Sequence, residues 1–283
     1  MNRQASCDTT NCARVALAAA LNENGHERPL YNRTDHGSRE SELLGSRARI
    51  GIIVPATNTA TESEFWKIVP DGVTLSFARA LSSRDPDQVR RLSAYKEGAL
   101  KGAIEVAEVK PDLIVWACTS GSFINGVGYD RALANEIECK VGIPVLTTSS
   151  ALIAALNALG VQRLAMGTPY PQSITDIEAK FFADSVPGLK VVNTAIIDLA
   201  DPYSRGLISP EEAYALANRA HIADADAVFL SCTDLQTFPI IERLEQELGK
   251  PVISSNSATA WAMFNKLGIR PLRETGRLWS CRA

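Results

Sequence analysis

The chain has 283 residues, of which 46% are hydrophobic and 22% charged, a balance able to bury a sizeable core in water. Its 29 Lys and Arg against 32 Asp and Glu leave a net charge of -3, and the basic residues are scattered rather than gathered into stripes, which speaks against a nucleic-acid partner. No apolar run approaches the roughly 20 residues that span a bilayer, and Met1 to Leu21 lacks an apolar segment followed by a small-residue cleavage site, so no membrane association is expected and the protein reads as cytoplasmic.

Residues 1–46 are polar apart from a short apolar helix predicted at Ala13 to Leu21, and they read as a mobile N-terminal extension that carries Cys7 and Cys12. From Arg49 onward, short β-branched runs alternate with amphipathic stretches, the pattern of parallel strands joined by helical crossovers. Strands are predicted at Ile50 to Val54, Thr74 to Ala78, Leu113 to Ala117, Val145 to Thr148, Arg163 to Gly167, Lys190 to Ile196, Ala227 to Ser231 and Val252 to Ser255. Helices are predicted near 60–68, 86–109, 126–140, 149–159, 171–184, 210–224, 237–248 and 257–267.

A repeat runs through this order. Asp112-Leu-Ile-Val-Trp-Ala-Cys118-Thr119 is echoed by Asp226-Ala-Val-Phe-Leu-Ser-Cys232-Thr233. Each copy leads through a helix to Gly-x-Pro (Gly142 to Pro144, Gly249 to Pro251), then to a Ser-rich turn and an Ala-rich helix that stops at Leu159-Gly160 or Leu267-Gly268. The predicted fold is therefore α/β, with two pseudo-symmetric Rossmann-like halves, each a parallel sheet flanked by helices, and an active site between them. Residues 47–146 with 252–283 are assigned to the first half and 147–251 to the second.

Six cysteines at irregular spacing read as free thiols, and the three histidines show no metal-ligand spacing, so neither a metal nor a cofactor is expected. Two of the thiols, Cys118 and Cys232, fall at the carboxyl ends of equivalent strands, where open parallel sheets bind ligands. Halves packed face to face bring them to opposite walls of one cleft, ready to move protons on both faces of a planar carbon. A helix N-terminus beside each thiol is expected to pull its pKa toward neutrality. Thr119 and Ser120, followed by Gly121 and Ser122, offer hydroxyl and N–H donors to a carboxylate, and Thr233 stands in the equivalent place. Asn58, in the turn Pro55-Ala-Thr-Asn-Thr after the first strand, suits either a ligand carboxylate or the capping of the next helix. Tyr170, after Gly167-Thr-Pro, places a phenol at the same sheet end or else packs in the core. Cys139 and Cys281 carry no such signal.

Taken together, Val54-Pro55 with Asn58-Thr59, Cys118-Thr-Ser-Gly-Ser, Thr168-Pro169-Tyr170 and Ser231-Cys232-Thr233 with Pro251-Val-Ile-Ser-Ser resemble the aspartate/glutamate racemase superfamily. The resemblance is to its branch of maleate cis-trans isomerases and arylmalonate decarboxylases, over roughly Arg49 to Arg270. It implies Cys118 as nucleophile, Cys232 as acid/base partner, and Asn58 and Tyr170 as residues that hold substrate. Arylmalonate decarboxylases keep the second cysteine and have glycine at the first. A cofactor-independent isomerase of a small carboxylate is expected, with an amino-acid or hydantoin-type racemase using the same pair as the alternative. A decarboxylase or a non-catalytic anion-binding protein ranks below these, and a homo-oligomer is expected. Where the isomerases carry an asparagine, this chain reads Asp198-Leu-Ala-Asp201-Pro202-Tyr203, and a carboxylate there would repel a dicarboxylate.

Overall fold

A computed structural model describes residues 44–281. The expectations for Ala13 to Leu21, Cys7 and Cys12, and for the extension up to residue 43, lie outside the described residues. Two four-stranded sheets, all parallel, form the frame: β2-β1-β3-β4 and β6-β5-β7-β8. The first holds β1 (Ala48–Pro55), β2 (Val73–Ala80), β3 (Leu113–Trp116) and β4 (Val145–Thr147). The second holds β5 (Arg163–Thr168), β6 (Lys190–Ile196), β7 (Ala227–Leu230) and β8 (Val252–Ser254). The identical strand orders are the repeat made visible.

The structure corrects two assignments. Thr147, assigned to the second half, pairs with Trp116 in the first sheet, and the helix after it packs on that half. Residues 252–283 were placed with the first half, yet Val252 to Ser254 pair with Val228 to Leu230 in the second sheet. The helix that follows, α11 (Ser255–Leu267), is what crosses over: it packs against α6 (Thr148–Ala158) of the first half, and Thr259 Oγ1 donates to Thr148 Oγ1 at 3.1 Å between them. Ser255 to Phe264 are buried throughout, as a helix shared by two sheets must be.

Equivalent residues perform equivalent local tasks. Asp112, just before β3, accepts the Arg49 N–H at the start of β1 at 2.8 Å, and Asp226, just before β7, accepts those of Gln162 and Arg163 at the start of β5 at 3.0 and 2.8 Å. The helices before β4 and β8, α5 (Tyr129–Val141) and α10 (Phe238–Leu248), stop at Gly142 and Gly249 with φ of 71° and 68°, a left-handed cap that glycine adopts without steric cost. The prolines two residues on then start the strands. Central strands β3 and β7 are buried along their whole length, as sheets covered on both faces require.

The remaining helices include α1 (Thr61–Trp66), α7 (Gln172–Ser185) and α9 (Pro210–Ala220), near their predicted places. The helix predicted over 86–109 is two, α2 (Gln88–Ser93) and α3 (Tyr95–Ala107), broken at Ala94. Two further single-turn helices, α4 (Ser120–Phe123) and α8 (Pro202–Arg205), occupy stretches read as turn. The break at Ala94 and the two short helices lie at the carboxyl edges of the sheets, where Tyr95, Ser120 and Arg205 line the space between the halves. Among the described residues no helix is long and apolar enough to cross a membrane.

Candidate active site

Each wall of the cleft between the sheets is built from loops at strand carboxyl ends. After β1 come Pro55, Thr57 and Asn58; after β3, Cys118, Thr119 and Ser120; the β2 crossover supplies Tyr95. The second half answers with Tyr170 after β5, Cys232, Thr233 and Asp234 after β7, and Pro202 and Arg205 from the β6 crossover. The space between the walls is about 330 Å³ when the solvent at its mouth is counted, so the two walls stand close together. Asn58, Cys118, Thr119, Ser120, Tyr170, Cys232 and Thr233, the residues singled out in the sequence, all line it.

The two cysteines are held differently. Cys118 precedes α4 directly, and its sulfur accepts the Gly121 N–H at 3.3 Å. A β-carbon on Gly121 would lie 2.9 Å from that sulfur and 2.9 Å from Cζ2 of Trp116, so the glycine is what lets the thiol sit over the turn. Gly121→Ala is expected to lower kcat/KM by roughly 10- to 100-fold through displacement of the sulfur. Steady-state kinetics beside a thermal melt will separate this displacement from unfolding.

Cys232 has φ of 95°, outside the regions a side-chain-bearing residue prefers, at a cost on the order of 1–3 kcal/mol. Neighbouring bonds hold it there: its N–H donates to Ser255 Oγ at 3.0 Å, and its sulfur accepts the Asp234 N–H at 3.4 Å. Ser255 also accepts from Thr119 Oγ1 at 2.8 Å, so one hydroxyl at the start of α11 links both cysteine loops.

Asn58 performs both tasks left open for it. Its Oδ1 accepts the Thr61 N–H at 3.0 Å, steadying the start of α1, and its Nδ2 donates to Thr233 Oγ1 at 3.2 Å across the cleft. Thr233 Oγ1 in turn donates to the Ala117 carbonyl at 3.2 Å, and Thr61 Oγ1 to the Thr233 carbonyl at 2.9 Å. These crossings tie the halves together at the reacting end, where buried polar groups must be paired. Asp234 adds to them by accepting the N–H groups of Thr59 and Ala60 at 2.6 and 3.2 Å. Tyr170 is buried, in edge contact with Phe123 at 6.4 Å between centroids, and its hydroxyl favours the Cys232 thiolate.

The electrostatics overturn one expectation. Burial pushes the Cys118 thiol up to about 12, and the Gly121 N–H, the Ser120 hydroxyl and Arg205 only partly oppose it. Burial likewise pushes Cys232 up to about 11, with Arg205 the largest opposing influence and Asp234 adding to the rise. Neither thiol falls toward neutrality, because removing a sulfur anion from water outweighs what one short helix end returns. A charged Cys232 also raises the Cys118 pKa, so loss of a second proton from the pair is opposed.

The free-thiol reading holds for Cys118, Cys232 and Cys281, whereas Cys139 is disulfide-bonded. Among the described residues no group of three or more His, Cys, Asp or Glu side chains is arranged to hold a metal ion. The feared repulsion from the β6 crossover does not arise: Asp198 and Asp201 are absent from the lining, and Asp201 turns back to cap α8 through the N–H groups of Tyr203 and Ser204. That segment instead contributes the cation Arg205. Arg205, Tyr95 and Asp234 carry no signal in the sequence, while Thr57 and Ser255 fall within the motifs quoted there without being singled out.

A family model for arylmalonate decarboxylase matches residues 50–279. A maleate isomerase of Alcaligenes faecalis is 27% identical over 240 residues, 78% of this chain and 91% of that enzyme. An arylmalonate decarboxylase of Bordetella bronchiseptica is 28% identical over 218 residues, 76% of this chain and 89% of its own length. A solved Nocardia farcinica maleate cis-trans isomerase, a cysteine-to-serine mutant with a covalently bound succinylcysteine intermediate, superimposes with a TM-score of 0.74 at 23% identity, covering 82% of this chain and 97% of that one. Paired parallel sheets, a cleft at their carboxyl edges and a match that runs from β1 to the last turn agree: the chain belongs to the arylmalonate decarboxylase family.

Proposed function

We propose that the protein is a two-cysteine cis-trans isomerase of a small dicarboxylate, with maleate as the reference substrate. The observation that carries this reading is that both free thiols, Cys118 and Cys232, line one small cleft on walls contributed by different halves. A decarboxylation that only needs a proton returned to one face has no use for Cys118, whereas addition to an alkene needs a nucleophile and an acid together. Relatives named maleate isomerase over most of the chain support the same reading.

The reaction follows from the two sulfurs. Cys118 as thiolate adds to one alkene carbon; the displaced π electrons move onto the carboxylate of the neighbouring carbon as an enediolate, and the Cys232 thiol delivers its proton to that carbon. The bond between the two carbons is now single and rotates. Cys232 thiolate then removes a proton, the double bond re-forms in the trans geometry, and Cys118 leaves as thiolate. Charge developing on the enediolate is met by donors that line the cleft, the Ser120 hydroxyl and the Tyr170 phenol, joined by Thr119, Asn58 and Thr233 as substrate oxygens replace Ser255, Thr233 and the Ala117 carbonyl as their acceptors. Atoms and electrons balance on the substrate and the two sulfurs, so the scheme calls for no cofactor.

Incubation with maleate in heavy water, followed by proton NMR, is expected to show fumarate appearing at the expense of maleate. Deuterium entering the α-carbon of an amino acid or hydantoin, with no change in maleate, would replace this reading by the racemase one.

A further inference from the structure

Arg205 makes and breaks no bond in the two-sulfur scheme, although it favours both thiolates. Among the described residues it is the one buried cation, against five buried carboxylates elsewhere in the fold and in the cleft, Glu64, Asp130, Glu178, Asp234 and Glu245. Its charge is poorly spent within the protein. One Nη donates to the Leu199 carbonyl at 3.2 Å, the guanidinium carbon stands 4.8 Å from the centre of the Tyr170 ring, and Nε is buried without a hydrogen-bond partner. Asp234, the carboxylate that shares the cleft, commits its Oδ1 to Thr59 and Ala60 instead.

The loop is nevertheless placed with care. A β-carbon on Gly206 would come within 2.6 Å of Thr59 Oγ1 and 3.0 Å of Asp234 Oδ2, so glycine there allows the segment behind Arg205 to lie against both halves. A buried guanidinium with unspent donors is costly unless an anion completes it, and its planar fork matches a carboxylate. The polar turn Thr119-Ser120 serves one carboxylate, which leaves Arg205 on the opposite half to serve another.

We infer that Arg205 sets the specificity of the cleft for a short dicarboxylate, by holding the carboxylate that does not take up the enediolate charge; the inference rests on the isomerase reading only for the order of events, not for the binding. The β6 crossover thus supplies a counter-ion from its last helical residue in a segment whose sequence suggested repulsion.

The test compares maleate with its monoamide, maleamate, in the wild type, Arg205→Gln and Arg205→Lys. In Arg205→Gln the ratio of kcat/KM for maleate over maleamate is expected to fall about 10- to 100-fold, the range for loss of a charged hydrogen-bonding partner, mostly through KM. Arg205→Lys, which keeps the charge and loses the fork, is expected to recover part of the ratio and carries the comparison if the glutamine variant does not fold. Equal losses on both compounds would mark a merely structural residue and overturn the inference. Calorimetric binding of succinate against succinamate separates the two readings. A preference for succinate that vanishes in Arg205→Gln, in a protein that does not isomerise maleate, would uphold this inference and sink the isomerase. A wild type with no such preference would sink the inference whatever its activity.

Discussion

Cys232→Ser is expected to accept one molecule of maleate and then stop. Addition by Cys118 remains available, because its sulfur still sits over the Gly121 N–H and any weak acid can return a proton to the enediolate. Elimination does not, since a serine hydroxyl is a far poorer base toward carbon than a thiolate. Turnover should fall by about 10²- to 10⁴-fold, the scale of a lost general acid–base group, while intact-protein mass spectrometry shows the addition of one maleic acid and peptide mapping places it on Cys118 rather than on Cys281, the remaining free thiol among the described residues. Cys118→Ala should lose turnover at least as severely and form no adduct at all. An adduct that appears equally in Cys118→Ala, or a Cys232→Ser chain that turns over freely, would end the assignment of roles.

Much of this was legible because the repeat keeps its chemistry next to its folding signals. Asp112 and Asp226 start equivalent strands, Cys118 and Cys232 end them, and the Gly-x-Pro motifs begin the next strands, so one alignment of the chain with itself located both sulfurs. What escaped was set by tertiary context. Tyr95 reads as the interior of one long helix because the break at Ala94 has neither proline nor glycine to announce it. Arg205 looks like a surface residue in a polar loop, and only packing of that loop against Thr59 and Asp234 buries it. Strand β8 was given to the wrong half because the helix after it does pack on the first half, and a sequence pattern does not separate pairing from packing. The thiol pKa values went astray in sign for a related reason: a helix terminus is a local feature, visible in Thr119-Ser-Gly-Ser, whereas desolvation is the sum of everything folded around the sulfur.

That sum has a large kinetic consequence. With Cys118 near 12 and Cys232 near 11, both are thiols at neutral pH in the unliganded protein, and the reactive form with one thiolate is scarce. An acid whose pKa is raised by burial gains thiolate about tenfold for each pH unit below that pKa. The logarithm of kcat/KM should therefore rise with a slope near one from about pH 7 to 9, a change of about 100-fold, with no plateau in that interval. The fall that follows loss of the second proton is deferred, because a Cys232 anion raises the Cys118 pKa. Alkylation of Cys118 by iodoacetamide should climb in parallel. Arg205 opposes the rise of both thiols, so in Arg205→Gln the same limb should move to still higher pH, a displacement that loss of substrate binding alone does not produce. A plateau already reached at neutral pH would require a base or a donor set beyond Gly121, Ser120, Tyr170 and Arg205 to hold the thiolate, and the two-sulfur scheme as built from this cleft would have to give way.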